Sequence, residues 1–143
     1  MNKKLTYGIF TILFLCYFMA YMGNLSHIIA YHEQHHLFLY TEAYFEQQLQ
    51  SEGFFYYLTA FIIQFFYYPW LGSALLALLL ALVYLMTSNI ICLSFGKQDL
   101  FHLGIIPSLL LFYYTMEASH PLVPVTVTVL SLGLVNLILW IFR

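Results

Sequence analysis

The stretch FFYYLTAFIIQFFYYPWLGSALLALLLALVYLMTSNIICLSF, residues 54–95, decides how this chain folds. It is apolar almost without interruption, too long for one membrane span of about 20 residues and barely long enough for two with a turn between them. Something must divide it, and Pro69 is the divider. The part before it, 54–68, is short for a helix that rises about 1.5 Å per residue and must cross about 30 Å of hydrocarbon. The part after it predicts a transmembrane helix over 71–93.

Working outward, three more apolar runs appear. Residues 5–22 follow the basic start Lys3-Lys4 and are longer than a cleavable signal peptide's core, with no small-residue cleavage site behind them, so they read as a signal anchor that stays. Residues 100–116 follow the polar joint Gly96-Lys97-Gln98-Asp99, and residues 122–142 follow Glu117-Ala118-Ser119-His120-Pro121. The fold class expected is therefore an all-α membrane protein, one transmembrane domain over 1–143 with four spans.

Composition agrees. Of 143 residues, 63% are hydrophobic and only 7% charged, too little charge to cover the surface of a soluble domain. The net charge of -2 comes without a basic patch or aromatic–basic interleaving, which excludes nucleic acid as a partner. Cys16 and Cys92 lie inside different apolar runs and read as packing residues rather than a disulfide or a thiolate metal site.

Charge sets the orientation. With four spans, Lys3, Lys4, Lys97 and Arg143 all fall on the cytoplasmic side of an inner membrane, with both termini inside. A fifth span at 54–68 would move Lys97 and Arg143 outside, so that segment is placed at the outer interface, where Tyr56, Tyr57, Tyr67, Tyr68 and Trp70 form an aromatic belt. The outer segment 24–70 also holds an amphipathic helix over 41–52, with Tyr44, Phe45 and Leu49 on one side, Glu42, Glu46 and Gln50 on another, and Gly53 as its stop.

Ser73, Ala77 and Ala81 recur every four residues, a face of small side chains on which another helix can approach closely. Asn136 lies deep in its span and is a candidate for an interhelical hydrogen bond, whereas Asn89 and His102 lie nearer the cytoplasmic ends. Expected partners are the lipid bilayer and other membrane helices, from other proteins or from a second copy.

One motif names a chemistry. Tyr31-His32-Glu33-Gln34-His35-His36 contains H-E-x-x-H, in which His32 and His36 on one helical face would hold zinc while Glu33 activates its water. A catalytic zinc needs a third protein ligand, and Glu42, Glu46 and Glu52 follow no third-ligand pattern. The expectation is no metal and no cofactor.

Two resemblances add to this. Glu33-Gln34-His35-His36-Leu37-Phe38 (E-Q-x-x-L-F) and Gln64-Phe65-Phe66-Tyr67-Tyr68-Pro69-Trp70 (Q-F-F-x-Y-P-W) resemble an uncharacterised family of polytopic inner-membrane proteins of Bacteroidota. That resemblance implies a longer protein with more spans, of which this chain is the N-terminal part, and makes the flanking histidines incidental. The layout of a span, an outer loop with an early carboxylate, an amphipathic helix and a return span is similar to the start of C-type membrane glycosyltransferases. It implies Glu33 as the outer-loop acid of an enzyme using a lipid-linked donor. The expectation is a structural or accessory membrane module, with the transferase as the alternative and a zinc protease behind it.

Overall fold

The computed structural model describes residues 3–35, 38–95 and 98–142, and among these every regular element is helical. The helices are α1 (Lys3–Met22), α2 (Ser26–His35), α3 (Glu42–Ser51), α4 (Phe54–Ile63), α5 (Pro69–Phe95), α6 (Ile105–Thr115) and α7 (Val123–Ile141). Short 3-10 turns, Gln64–Tyr67 and Gln98–Gly104, lead into α5 and α6.

Each boundary has a local cause. Pro69 is the first residue of α5, where its missing N–H is one of the helix's unpaired donors in any case. Thr41 caps α3, its Oγ1 accepting from the Tyr44 N–H at 3.2 Å. Gly53 ends the pair's first arm with φ 87, a backbone conformation that costs glycine nothing, so α3 and α4 form a tight helical hairpin.

Helix α5 is the hub, packed against α1, α2, α6, α7 and both 3-10 turns. Directions follow from the side chains that meet. Tyr17 and Tyr21 of α1 cluster with Leu76, Ala77 and Leu80 from the first half of α5, as do Leu122 and Val125 at the start of α7. Near the far end of α5, Asn89 donates to Asn136 Oδ1 of α7 at 2.6 Å, and Asn136 donates to the Met86 carbonyl at 3.1 Å. Helices α5 and α7 therefore run parallel, and the chain between them must travel back along α5.

That return leg corrects the expectation of four full-length spans. Among the described residues three helices are long and apolar enough to cross a membrane, Lys4–Met22, Pro69–Ser94 and Val123–Ile141, whereas His102–Thr115 is a shorter apolar helix, as is Phe54–Tyr67. Within the run expected as a span over 100–116 the 3-10 turn gives way to α6 after Gly104, where the backbone lies directly on α5. A Cβ at Gly104 would sit 2.9 Å from both the Ser88 backbone nitrogen and the Tyr84 carbonyl oxygen. Past that contact α6 begins, and Ser108 Oγ donates to the Leu80 carbonyl at 2.8 Å. The 3-10 turn thus covers the far part of α5, and α6 covers the near part.

Around the opposite end, α2, α3, α4 and the turn Gln64–Tyr67 form a cap. Phe66 is buried with Ile28 and Ile29 in the same core as Tyr21. Phe38 lies within ring contact of Tyr40, Tyr44, Tyr57 and Phe61, and Tyr40 hydrogen-bonds Gln64. Thr59 of α4 meets Thr126 of α7 at 2.7 Å, joining cap to bundle.

Replacing Gly104 by alanine forces a methyl against backbone atoms that cannot rotate away. Such overpacking costs about 1–3 kcal/mol, so Gly104→Ala is expected to lower the unfolding temperature in detergent, while Gly8→Ala, where a Cβ meets nothing within 4 Å, leaves it unchanged.

Candidate functional site

The H-E-x-x-H segment is helical as far as His35, on α2, and not an open loop. Ile28, Ile29 and His32 form the buried face of that helix, the last only 1% exposed. The His32 ring stands edge-on to Tyr31, centroids 5.6 Å apart. His35 turns outward, stacks on Tyr31 at 4.0 Å and donates its Nδ1–H to the Tyr31 carbonyl at 2.8 Å. Glu33 is half-buried between these faces.

His36 and Leu37 lie outside the described residues, as do Lys97 and Arg143. Among the described residues no three His, Cys, Asp or Glu side chains converge to hold a metal ion. His32 lies on the core face and His35 on the surface, so these two do not share a ligand position. The position of His32, one turn beyond Ile28 on a face that packs into the core, is that of a core side chain.

Five of the six acidic residues lie at the capped end. Glu33 is on α2, Glu42 and Glu46 on α3, Glu52 is the C-cap of α3, and Glu117 follows α6. Burial, followed by the Glu52 carboxylate, raises the Tyr56 phenol above its usual value, and a hydrogen bond to Glu52 acts in the same sense. Tyr44 is raised by burial first and then by Tyr57 and Glu52. Both phenols stay neutral donors at pH 7 rather than poised acids or bases.

The packing residues sit where close helix contact is needed. Ser73, Ala77 and Ala81 are buried on one stripe of α5. Asn136 sits where three bonds meet, accepting from Asn89 and donating to the carbonyls of Met86 and Leu132.

The structure adds polar pairs that carry no sequence motif. Ser108 spends its hydrogen on Leu80, so Tyr17 must be the donor in the 2.9 Å bond between the two hydroxyls. Thr115 donates to the Phe112 carbonyl, so Tyr21 is likewise the donor to Thr115, at 2.6 Å. The only sequence signal for these pairs is the spacing of Tyr17 and Tyr21, one turn apart on α1.

A chain whose described residues are all-helical, with three helices among them fit to cross a membrane, a hydroxyl-bonded interior and a glutamate-bearing cap, is the class that these observations define. The chain belongs to the family of unknown function DUF6057, which matches residues 2–143. Neither the curated proteins nor the solved structures contain a match to it.

If His32 serves the core, a chelator such as EDTA leaves the unfolding temperature of the purified protein unchanged. His32→Ala lowers stability by about 1–3 kcal/mol through lost packing. An equal fall in stability on chelation alone would reverse this reading.

Proposed function

We propose that this chain is a multi-pass membrane module with no catalytic centre of its own, serving to hold or organise other membrane helices. The observation that carries the reading is the apolar surface of the outer helices. On α1, Ile12, Leu15 and Met19 are exposed, and on α7 so are Leu134, Leu137, Ile138 and Trp140, the last 76% exposed. A surface of this kind is stable against lipid tails and a liability in water.

The path of the chain supports an even number of passes. Helix α1 leads toward the cap, α5 leads away, the 3-10 turn with α6 returns, and α7 leads away again. Lys3 and Lys4 precede the bundle at the uncapped end, and in sequence Lys97 follows α5 while Arg143 follows α7. With basic residues held in the cytoplasm, the termini are inside and the cap is outside, in a bacterial inner membrane.

The transferase reading has less support. A lipid-linked pyrophosphate donor calls for Arg or Lys facing it, because charge-assisted bonds from such side chains are what hold phosphate oxygens. The cap carries Glu33, Glu42, Glu46, Glu52 and Glu117, and its sequence from 24 to 68 contains neither Lys nor Arg. Glu33 in this reading is an interfacial carboxylate on the cap.

Impermeant thiol labelling in intact spheroplasts tests the topology. In a background with Cys16 and Cys92 replaced by serine, a cysteine at Gln47 is expected to react and one at Gln98 to react only after permeabilisation. Equal labelling of both from outside would overturn the reading.

A further inference from the structure

Helix α6 ends in an exposed turn closed by several hydrogen bonds. Ser119 Oγ donates to Glu117 Oε1 at 2.9 Å, and the His120 N–H donates to the Glu117 carbonyl at 3.1 Å. His120 donates Nδ1–H to the Tyr114 carbonyl at 2.8 Å, and its ring lies flat on Tyr114 with centroids 4.5 Å apart. That bond fixes the other ring nitrogen, Nε2, at 3.4 Å from Glu117 Oε2. The Ser119 hydroxyl thus holds one carboxylate oxygen, and the His120 ring lies beside the other.

Beside it is an open depression of about 380 Å³ lined by Tyr113, Tyr114, Met116, Glu117 and His120. This is within the size range of small-molecule sites, about 300–1,000 Å³. Its chemistry is one-sided. Two phenol rings offer negative π faces, Met116 a polarizable thioether, Glu117 a full negative charge, and the carboxyl end of α6 a partial one. An anion is repelled here, and a purely apolar guest would strip water from Glu117 without replacing it. An organic cation is matched by four of the five lining side chains: methyl or methylene groups against the Tyr113 and Tyr114 rings and the Met116 sulfur, and charge against the Glu117 carboxylate.

We propose that this depression binds an organic ammonium group, quaternary or primary, carried either by a zwitterionic lipid headgroup or by a free solute. Exposed Tyr113 supplies the open aromatic face, since one face of Tyr114 is taken by His120. Glu117 supplies the charge, and Ser119 keeps one of its oxygens aimed. The site lies where α6 emerges at the capped end, level with the Tyr21–Thr115 bond that ties α1 to α6. In the proposed topology this is the outer boundary of the bilayer, where lipid ammonium groups reside.

The test uses the full chain in dodecyl maltoside, which carries no ammonium, with choline as the probe and ligand-observed NMR as the readout. Choline is expected to bind at least about tenfold more tightly than its neutral isostere, in which a tert-butyl group replaces the trimethylammonium, because the cation–π and carboxylate contacts are lost with the charge. Glu117→Gln is expected to weaken choline by about tenfold or more, and Tyr113→Leu by about threefold to tenfold. Reconstitution separates the sources. Loss of choline binding in phosphatidylcholine nanodiscs but not in phosphatidylglycerol nanodiscs identifies a lipid headgroup as the occupant, and retention in both identifies a soluble ammonium compound. Equal affinity for choline and its isostere, or full affinity in Glu117→Gln, overturns the proposal. Should Glu117→Gln fail to fold, the isostere comparison on the unaltered chain decides alone.

Discussion

Helix α5 presents Ser73, Ala77, Leu80, Ala81, Tyr84 and Ser88 along one buried stripe, and the other long helices are arranged by what that stripe permits. Small side chains let backbones approach until polar main-chain groups come within reach of a neighbour. The Leu80 carbonyl receives the Ser108 hydroxyl, and Ser108 in turn receives Tyr17 from α1, so α1, α5 and α6 share one hydrogen-bonded seam. In hydrocarbon, where apolar burial gives helices little reason to associate, close packing and such bonds are the available forces. Replacing the stripe with large side chains would move α6 outward and cut the seam at Ser108.

The sequence discloses those parts of this architecture that depend on neighbours along the chain. Pro69 divides the long apolar run because proline belongs in a first turn, and Gly53 ends α3 because its φ is positive; each effect is local. The small face of α5 is legible because its period is helical. The path of the return leg is not, since its contacts lie across the bundle. Gly104 is one glycine among several in the sequence, and only contact with Ser88 and Tyr84 marks it as the point where the return leg lies closest on α5. Tyr17 and Tyr21 read as ordinary apolar-run aromatics until α6 supplies Ser108 and Thr115.

The H-E-x-x-H letters show the same limit from the other side. Spacing places His32 and His36 on one helical face, but it does not say whether that face looks into the core or onto a cleft. Ile28 and Ile29 decide it for His32, because they are buried on the same side of α2 against a core that includes Phe66 and Leu76. A zinc ligand needs an approach path and two further donors, and the described surroundings of α2 bring no such group of side chains together. Here a buried histidine and a half-buried glutamate are neighbours in sequence on α2.

The two ends of the bundle differ in chemistry, and that difference bears on function more than any single residue does. The capped end combines glutamates with a nest of rings around Phe38, whereas Lys3 and Lys4 begin α1, and Lys97 and Arg143 follow α5 and α7 in the sequence. An aromatic-rich end of this kind suits the lipid boundary, where rings remain in the acyl region and hydroxyls reach water. Its carboxylates give the same boundary a negative field, which draws cationic groups and repels phosphate. A surface so charged is badly suited to grasp a phosphorylated donor and well suited to meet the ammonium end of a zwitterion. In the proposed reading, a preference for ammonium would arise from the placement of glutamates around an aromatic cap.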